Sequence, residues 1–459
     1  MQQVPEIDQQ LGIRVYATKT AGVGGVIRQA AEDFVVEEML VDGSKATIAE
    51  TATKPALGAS EERQRFLLCV LVKRNWDTFI AVKNIARSLG TNQARVQIAG
   101  IKDAKAVTAQ FATLEGVSAE EAARVQVRDV ELRPVGYFRE ALCGFYLLGN
   151  SFSLAIRDIA YSKATVKKRI TSVKDELDEL GGIPNFYGHQ RFGTTRPITH
   201  LVGKAMVKGD LEEAAMLFLA KPSPLEHAES RQARMELGES RDFKRALEAF
   251  PKQLRYERLM LRHLADAPSD FAGAFRRLPL KLRMLFVQAY QSLLFNRLLS
   301  QRISSGLQLG IALAGDYVVN VERSGLPMVK TGRVVEVGAV VEVNKQIKEG
   351  KMRVALPIIG YRQGLSQGSV GDTQQAILEV EGVEPKDFRM SEMPEVGGRG
   401  ELRAVLCPVR DFKTGAVGAS AETPHHCDVR LEFALLKGAY ATVLLREVMK
   451  PVDPVSAGF

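Results

Sequence analysis

Strand-like segments occupy both ends of this chain, and a helix-rich stretch from about residue 197 to 302 separates them. That order constrains the fold more than any other feature. A doubly wound parallel sheet needs strands and helices in regular alternation, and they do not alternate here. The pattern fits an α+β chain with a mixed, mostly antiparallel sheet. The helical middle has a strand run of its own, so residues 196–390 are expected to form an inserted domain. Residues 1–195 and 391–459 are then expected to close one discontinuous domain around it. At 459 residues the chain has room for such units and for a sizeable core.

Local patterns fill in the plan. The run FLLCVLV at 66–72 is nearly all apolar, as in a sheet interior. Asp77 or Thr78 then caps a helix to Leu89, with Phe79, Val82, Ala86 and Leu89 on one face and Gly90 ending it. Segments 26–27, 34–38, 95–100 and 107–114 read as strands, the last two joined by a polar loop at 101–106. Val166, Ile170, Val173, Leu177 and Leu180 recur every three or four residues, which predicts a helix stopped by Gly181-Gly182. A helix is expected at 283–299, Val-rich strands across 317–355, and strands at 376–380, 401–406 and 428–435. A helix at 439–449 closes the chain, and the polar stretch 41–60 reads as a surface loop.

Composition narrows the function classes. Cys69, Cys143, Cys407 and Cys427 are scattered with no C-x-x-C pair, which argues against a zinc ribbon or a disulfide framework. No apolar run approaches the roughly 18 residues of a membrane span, and the first residues lack a basic-then-apolar leader pattern. A cytoplasmic location without a membrane is therefore expected. The net charge is +8. Between Arg231 and Arg283 thirteen Lys/Arg face seven Asp/Glu, so most of that excess sits in one segment. Arg255, Arg258, Arg262, Arg276, Arg277, Lys281 and Arg283 recur there at helical spacings. They make either a solvated helical face or a phosphate-tracking surface.

Glycine clusters at 21–26 (AGVGGV) and 397–401 (GGRGE) lack the strand-loop-helix context of a phosphate loop and read as turns. The PHHCD run at 424–428 has no second ligand set, so no metal site is expected. Two polar clusters are more informative. In AGIKDAKAVTAQ, at 99–110, Asp103 sits on a loop between two strands. Lys102 and Lys105 flank it and favour the ionised carboxylate, which suits a nucleophile or charge stabiliser. A turn aspartate bonding its own backbone is the competing role. In PNFYGHQRFG, at 184–193, aromatics interleave with amide and guanidinium groups. Such a stretch can stack bases and grip phosphate, or form a strand with one aromatic face in the core.

These two clusters resemble the TruD family of tRNA pseudouridine synthases. Gly100, Lys102, Asp103, Ala106, Thr108 and Gln110 match one family pattern, and Asn185 to Gly193 match another. Further matches follow in order: EDFVVEE at 32–38, NWDT at 75–78, QAYQSLLFN at 288–296, GAYAT at 438–442 and LRE at 445–447. The length and the NWDT form look more like archaeal or eukaryotic members than bacterial ones. The resemblance implies a pseudouridine-synthase core interrupted by a TruD-specific α+β insertion with an RNA-binding role. It implies isomerisation of uridine to pseudouridine in tRNA, at position 13 in the family's best-known substrate, with no cofactor and no obligate protein partner.

Residue by residue, the resemblance makes Asp103 the catalytic aspartate and Phe34, Asn185 and Tyr440 substrate contacts. Tyr440 stands where bacterial members carry Phe, and a ring there can stack on an extruded uracil. Arg28 is a candidate ion-pair partner for Asp103, with Lys102 as a further supporting group. Arg191 and Arg196 are candidates either for phosphate binding or for pairing with carboxylates in the core. Two other readings are a non-catalytic RNA-binding or chaperone protein and an N-glycosidic hydrolase. The hydrolase would need a second acidic group to activate water.

Overall fold

The computed structural model describes residues 3–49, 56–420 and 423–459. Residues 50–55, within the loop expected at 41–60, lie outside the described residues. Six strands precede the helical middle: β1 (Phe34–Leu40), β2 (Phe66–Arg74), β3 (Val96–Ile98), β4 (Val107–Glu115), β5 (Val130–Phe138) and β6 (Leu147–Ile159). After the two-residue β7 (Ile183–Pro184) come β8 (Tyr317–Val321), β9 (Pro327–Val334), β10 (Met352–Ile358) and β11 (Glu401–Ala404). The chain returns with β12 (Leu406–Cys407), β13 (Val409–Thr414), β14 (Gly418–Ala419) and β15 (Cys427–Leu436).

The main sheet runs β13-β15-β6-β1-β4-β2-β5, with β14 added to β15 and β3 to β4. β1 and β4 are parallel, and the other pairings in this sheet are antiparallel. It is the mixed, mostly antiparallel sheet expected from the pattern. The parallel register sets Val35 opposite Val107. The start of β1 and the loop before β4 therefore emerge at the same end of the sheet. On β6, Phe152 faces Val36 and Asn150 faces Glu38. Side chains alternate between faces along a strand, so Phe34, Val36, Asn150 and Phe152 share one face.

Seven helices between Thr199 and Ser304 form the middle, and the last, Leu280–Ser304, is its spine. A second, antiparallel sheet, β11-β10-β8-β9, accompanies them. Its edge strand β11 comes from beyond residue 390, and β12 pairs with β7 in a separate two-stranded sheet. One continuous apolar core runs from Leu11 through Phe186 and Phe295 to Met449. Among the described residues no helix is long and apolar enough to cross a membrane.

Most expected elements form, and four expectations need correction. The strand expected at 26–27 reduces to an isolated bridge between Val26 and Arg157. The Val-rich region is not all strand, because Val340–Lys348 is a helix. Its Val340, Val343 and Ile347 fall three and four apart and pack on the core, while Val341 faces solvent. Residues 376–380 belong to the helix Gly368–Glu381, where Val370, Gln374 and Leu378 are buried at four-residue spacing. In the helix Thr78–Ser88, Asp77 accepts from the amides of Phe79 and Ile80 as the N-cap, but Phe79 is exposed. The buried face is Ala81, Val82, Ile85 and Ala86 instead.

The helices Thr199–Val207 and Leu280–Ser304 approach closely at Gly203. A Cβ there would lie 2.0 Å from the carbonyl oxygen of Phe286. Gly203→Ala is therefore expected to destabilise the protein by about 1–3 kcal/mol, because backbone rather than a flexible side chain must give way. A lower urea midpoint with an unchanged slope would show it.

Candidate active site

A cavity of about 310 Å³ opens at the sheet end where β1 and the loop before β4 emerge. Arg28, Phe34 and Val36 form one side, and Ile101, Lys102 and Asp103 come from the loop. Asn150 and Phe152 of β6 add to it, and Gln190 and residues 439–442 close it. Arg28 has a left-handed backbone, φ 62°, which turns its side chain onto this group. Its Nη2 donates to Asp103 Oδ1 at 3.2 Å and its Nη1 to the carbonyl of Gly458 at 3.0 Å. The guanidinium also lies 4.0 Å from the centre of the Phe34 ring. Arg28 is thus held on three sides, and its side chain keeps 12% exposure against 37% for Asp103. Asp103 Oδ2 has no hydrogen bond among the described residues, so one carboxylate oxygen is available to a ligand.

The loop is gripped from below. Lys102 makes no contact with the Asp103 carboxylate among the described residues, although the two are neighbours in sequence. Its ammonium points inward and meets Glu38 at 2.5 Å, with both side chains buried. The second Glu38 oxygen accepts from the amide of Phe111 at 2.9 Å. Burial pushes the Glu38 carboxyl upward, against the pull of Lys102 and these hydrogen bonds. Thr78 bonds both the carbonyl and the amide of Lys102, at 3.0 and 3.2 Å. Gln110 donates to the carbonyl of Gly100 at 3.0 Å. Lys105 is exposed. The cation that touches the Asp103 carboxylate is Arg28.

The family model of tRNA pseudouridine synthase D (TruD) matches residues 10–448. The chain belongs to the TruD family. It is 38% identical to a probable tRNA pseudouridine synthase D of Methanosarcina barkeri, over 99% of both chains. A Pyrococcus furiosus protein of the same name is also 38% identical, over 95% of this chain and 98% of that one. The Methanosarcina mazei crystal structure carrying the TruD name superposes with a TM-score of 0.82 at 36% identity, covering 98% and 99%.

The TruD motifs divide between lining the cavity and holding it. Tyr440 lines it as the residue before the helix Ala441–Met449. Burial pushes its hydroxyl upward, opposed by the charges of Arg191 and Arg403. Among the described residues that hydroxyl makes no hydrogen bond. Asn185 does not line the cavity. Its amide donates to the carbonyl of Ala404 at 3.0 Å and its Oδ1 accepts from Arg403 at 2.7 Å. Arg403 in turn donates to the carbonyl of Gly438, two residues before Tyr440, at 2.7 Å. Asn185 therefore acts on the cavity through Arg403.

Arg191 bonds Ser292 at 3.0 Å and Gln288 at 3.3 Å, both on the long helix Leu280–Ser304. Arg196 is remote and half-enclosed. It caps carbonyls of Phe218 and Lys221 at 3.0 and 2.7 Å and lies 3.8 and 3.7 Å from Glu226 and Glu257. Of its two candidate roles, its contacts are those of the carboxylate-pairing one. Gln190, Thr442, Asn150 and Phe152 were not singled out as site residues. Thr442 donates to Gln190 at 3.2 Å across the cavity wall. The alternating pattern along β6 was the available signal for Asn150 and Phe152. His426 of the PHHCD run bonds Asp158, and no group of metal-ligating residues occurs among the described residues.

Lys102→Met leaves Glu38 buried and unpaired. It is expected to cost about 3–5 kcal/mol in stability, and Lys102→Met combined with Glu38→Gln should recover part of that. Chemical denaturation of both variants measures the difference.

Proposed function

We propose that this chain isomerises uridine to pseudouridine in tRNA, at position 13, using Asp103 as the essential group and no cofactor. One observation carries this reading. The carboxylate of Asp103 is held by Arg28 through one oxygen, while the other faces a cavity walled by Phe34 and Tyr440. A cavity of this size suits a single extruded nucleoside, and a ring beside it gives the base a face to stack on. The reaction must break the N-glycosidic bond, turn the uracil and join C5 to the sugar. Attack on the base, attack on the sugar and removal of a ribose proton each place a carboxylate against the nucleoside. Phe34, Tyr440 and Arg28 are proposed as the groups nearest the substrate, with Asn185 and Arg191 positioning the wall.

The hydrolase reading has less support. Among the described residues lining the cavity Asp103 is the only carboxylate, so no second acid is there to activate water. A purely RNA-binding role leaves the Arg28–Asp103 pair and its supports without use. We further propose the division into a catalytic domain, 1–195 with 391–459, and an RNA-binding insertion, 196–390, acting in the cytoplasm, with β11 crossing from the first to complete the sheet of the second.

Release of tritium from tRNA labelled at C5 of uridine tests the reaction, because joining C5 to the sugar expels that hydrogen. Asp103→Asn is expected to bind tRNA normally and to lower release by at least about 10³-fold. Retained release would overturn the role of Asp103, and free uracil in place of pseudouridine would favour the hydrolase.

The insertion's charge is also testable. Arg258 spends its guanidinium on the carbonyls of Leu247 and Phe250, and Arg283 pairs with Glu395. Arg255 and Arg262 are exposed on one face of the helix Arg255–Asp266. Changing either to Ala should weaken tRNA binding and lower the slope of log K against log salt by about 1. An unchanged slope would place the RNA elsewhere.

A further inference from the structure

Lys73, the penultimate residue of β2, is fully buried. Its ammonium donates to two main-chain carbonyls, that of Asp103 at 2.7 Å and that of Trp76 at 2.8 Å. No carboxylate lies within ion-pair distance of it among the described residues. A buried ammonium without a contacting anion is costly to keep, and nonpolar side chains would fill the same space more cheaply. The neighbouring buried lysine, Lys102, has its own carboxylate in Glu38. Lys73 differs from that neighbour, and what it touches is the backbone of the residue on which the proposed chemistry rests.

We infer that Lys73 is a positioning residue for the reaction: it pins the main chain of Asp103 so that the carboxylate meets Arg28 and the cavity, and its charge faces that carboxylate from behind. The inference rests on the catalytic reading of Asp103 given above. The geometry ties the 75–78 motif to the loop that bears Asp103. The carbonyl of Trp76 fixes the turn that starts the helix Thr78–Ser88, and Thr78 at the head of that helix holds Lys102. Lys73 closes the bracket by holding the next residue, Asp103, from the strand side. The loop is thus clamped at two consecutive residues by groups that come from one short segment, 73–78.

The charged groups that face Lys73 are Asp103 and Asp77, which attract its proton, and Lys102, which repels it. Arg74, its neighbour in sequence, is engaged by Glu32 instead. Burial is the largest influence and brings the Lys73 ammonium down to about 8. Its proton is consequently lost within an accessible pH range. Loss of the proton leaves an amine with weaker donors toward the two carbonyls and no charge behind the carboxylate.

The test is single-turnover tritium release from C5-labelled tRNA, with tRNA affinity measured separately, for wild type, Lys73→Met, Lys73→Gln and Asp103→Asn. Lys73→Met is expected to keep its affinity for tRNA within about twofold and to lose about 100-fold in rate, the scale of a displacement of roughly 1 Å in a reacting group. Lys73→Gln, which keeps a donor, should recover part of that rate. The wild-type rate should fall as the pH rises through about 8, and this limb should be missing from Lys73→Met. A Lys73→Met rate within threefold of wild type, beside an inactive Asp103→Asn, overturns the inference and leaves the catalytic reading intact. An active Asp103→Asn overturns the catalytic reading first. Should neither lysine variant fold, the wild-type profile decides: a rate that stays flat from pH 7 to 9.5 overturns the inference, and a fall supports it.

Discussion

The cavity depends on a buried carboxylate that never touches it. Asp8 lies inside the protein and accepts from Arg446 at 2.5 Å and bonds His189 at 2.6 Å. Burial alone would raise its carboxyl, but the His189 hydrogen bond and the Arg446 charge outweigh that and hold it below the ordinary range. Arg446 also donates to the carbonyl of Val15 at 2.9 Å and lies over the Tyr16 ring at 4.0 Å. Glu447, next along the helix, accepts from the amides of Ala17 and Thr18. Three segments hundreds of residues apart are locked by these bonds: the N-terminal strap, the 185–193 motif and the closing helix. The cavity wall then follows. His189 precedes Gln190, and the same helix begins beside Tyr440 and Thr442. Removing one member would strand the others' charges in the interior, so the network holds the three segments together as a unit.

The loop that bears Asp103 is built on the opposite logic. It is short, polar and at the end of a sheet, where a backbone has few ladder bonds to hold it. Its order comes from side chains reaching up from the layer beneath: Glu38 through Lys102, Thr78, Gln110 and Lys73. Each bonds either the loop's backbone or its one inward-pointing lysine. Such an arrangement leaves the Asp103 carboxylate free of the duty of stabilising its own turn. Among the described residues its one hydrogen-bonding partner is Arg28, which is itself fixed by Phe34 and Gly458. A rigid scaffold with a single uncommitted oxygen is what pre-organised chemistry at a nucleoside requires.

Legibility in the sequence followed the range of the interactions. Elements set by local rules were readable. The apolar run at 66–72, the Asp77 cap and the stop at Gly181, which adopts φ 83°, all form where the pattern places them. Periodicity failed where β-branched residues were taken as strand formers, at 340–348 and 376–380. There the three- and four-residue spacing of buried positions outweighs the propensity of valine. Pairings across the chain were beyond reach. Lys102 stands beside Asp103 in sequence, yet Glu38, 64 residues away, decides where it points. The resemblance makes Asn185 a substrate contact, and no sequence pattern shows that its side-chain oxygen accepts from Arg403, 218 residues on.

The same contact ties the helical middle to the cavity wall. Arg403 lies on β11, the edge strand of the second sheet. Its guanidinium stacks 4.1 Å from the centre of the Tyr187 ring, and Tyr187 meets both Phe295 of the long helix and Tyr440 of the cavity edge-on. Asn296 of that helix accepts from the amide of Tyr187 at 2.9 Å and donates to the carbonyl of Leu11 at 2.9 Å. Helix, second sheet, strap and cavity wall therefore share one aromatic and amide junction around Tyr187. Segments that meet from so far apart in the chain need such a junction, because no covalent link holds the two halves of the wall in register. Placing it behind Tyr440 fixes the ring that lines the cavity with Asp103 at the point where the helical middle meets the main sheet.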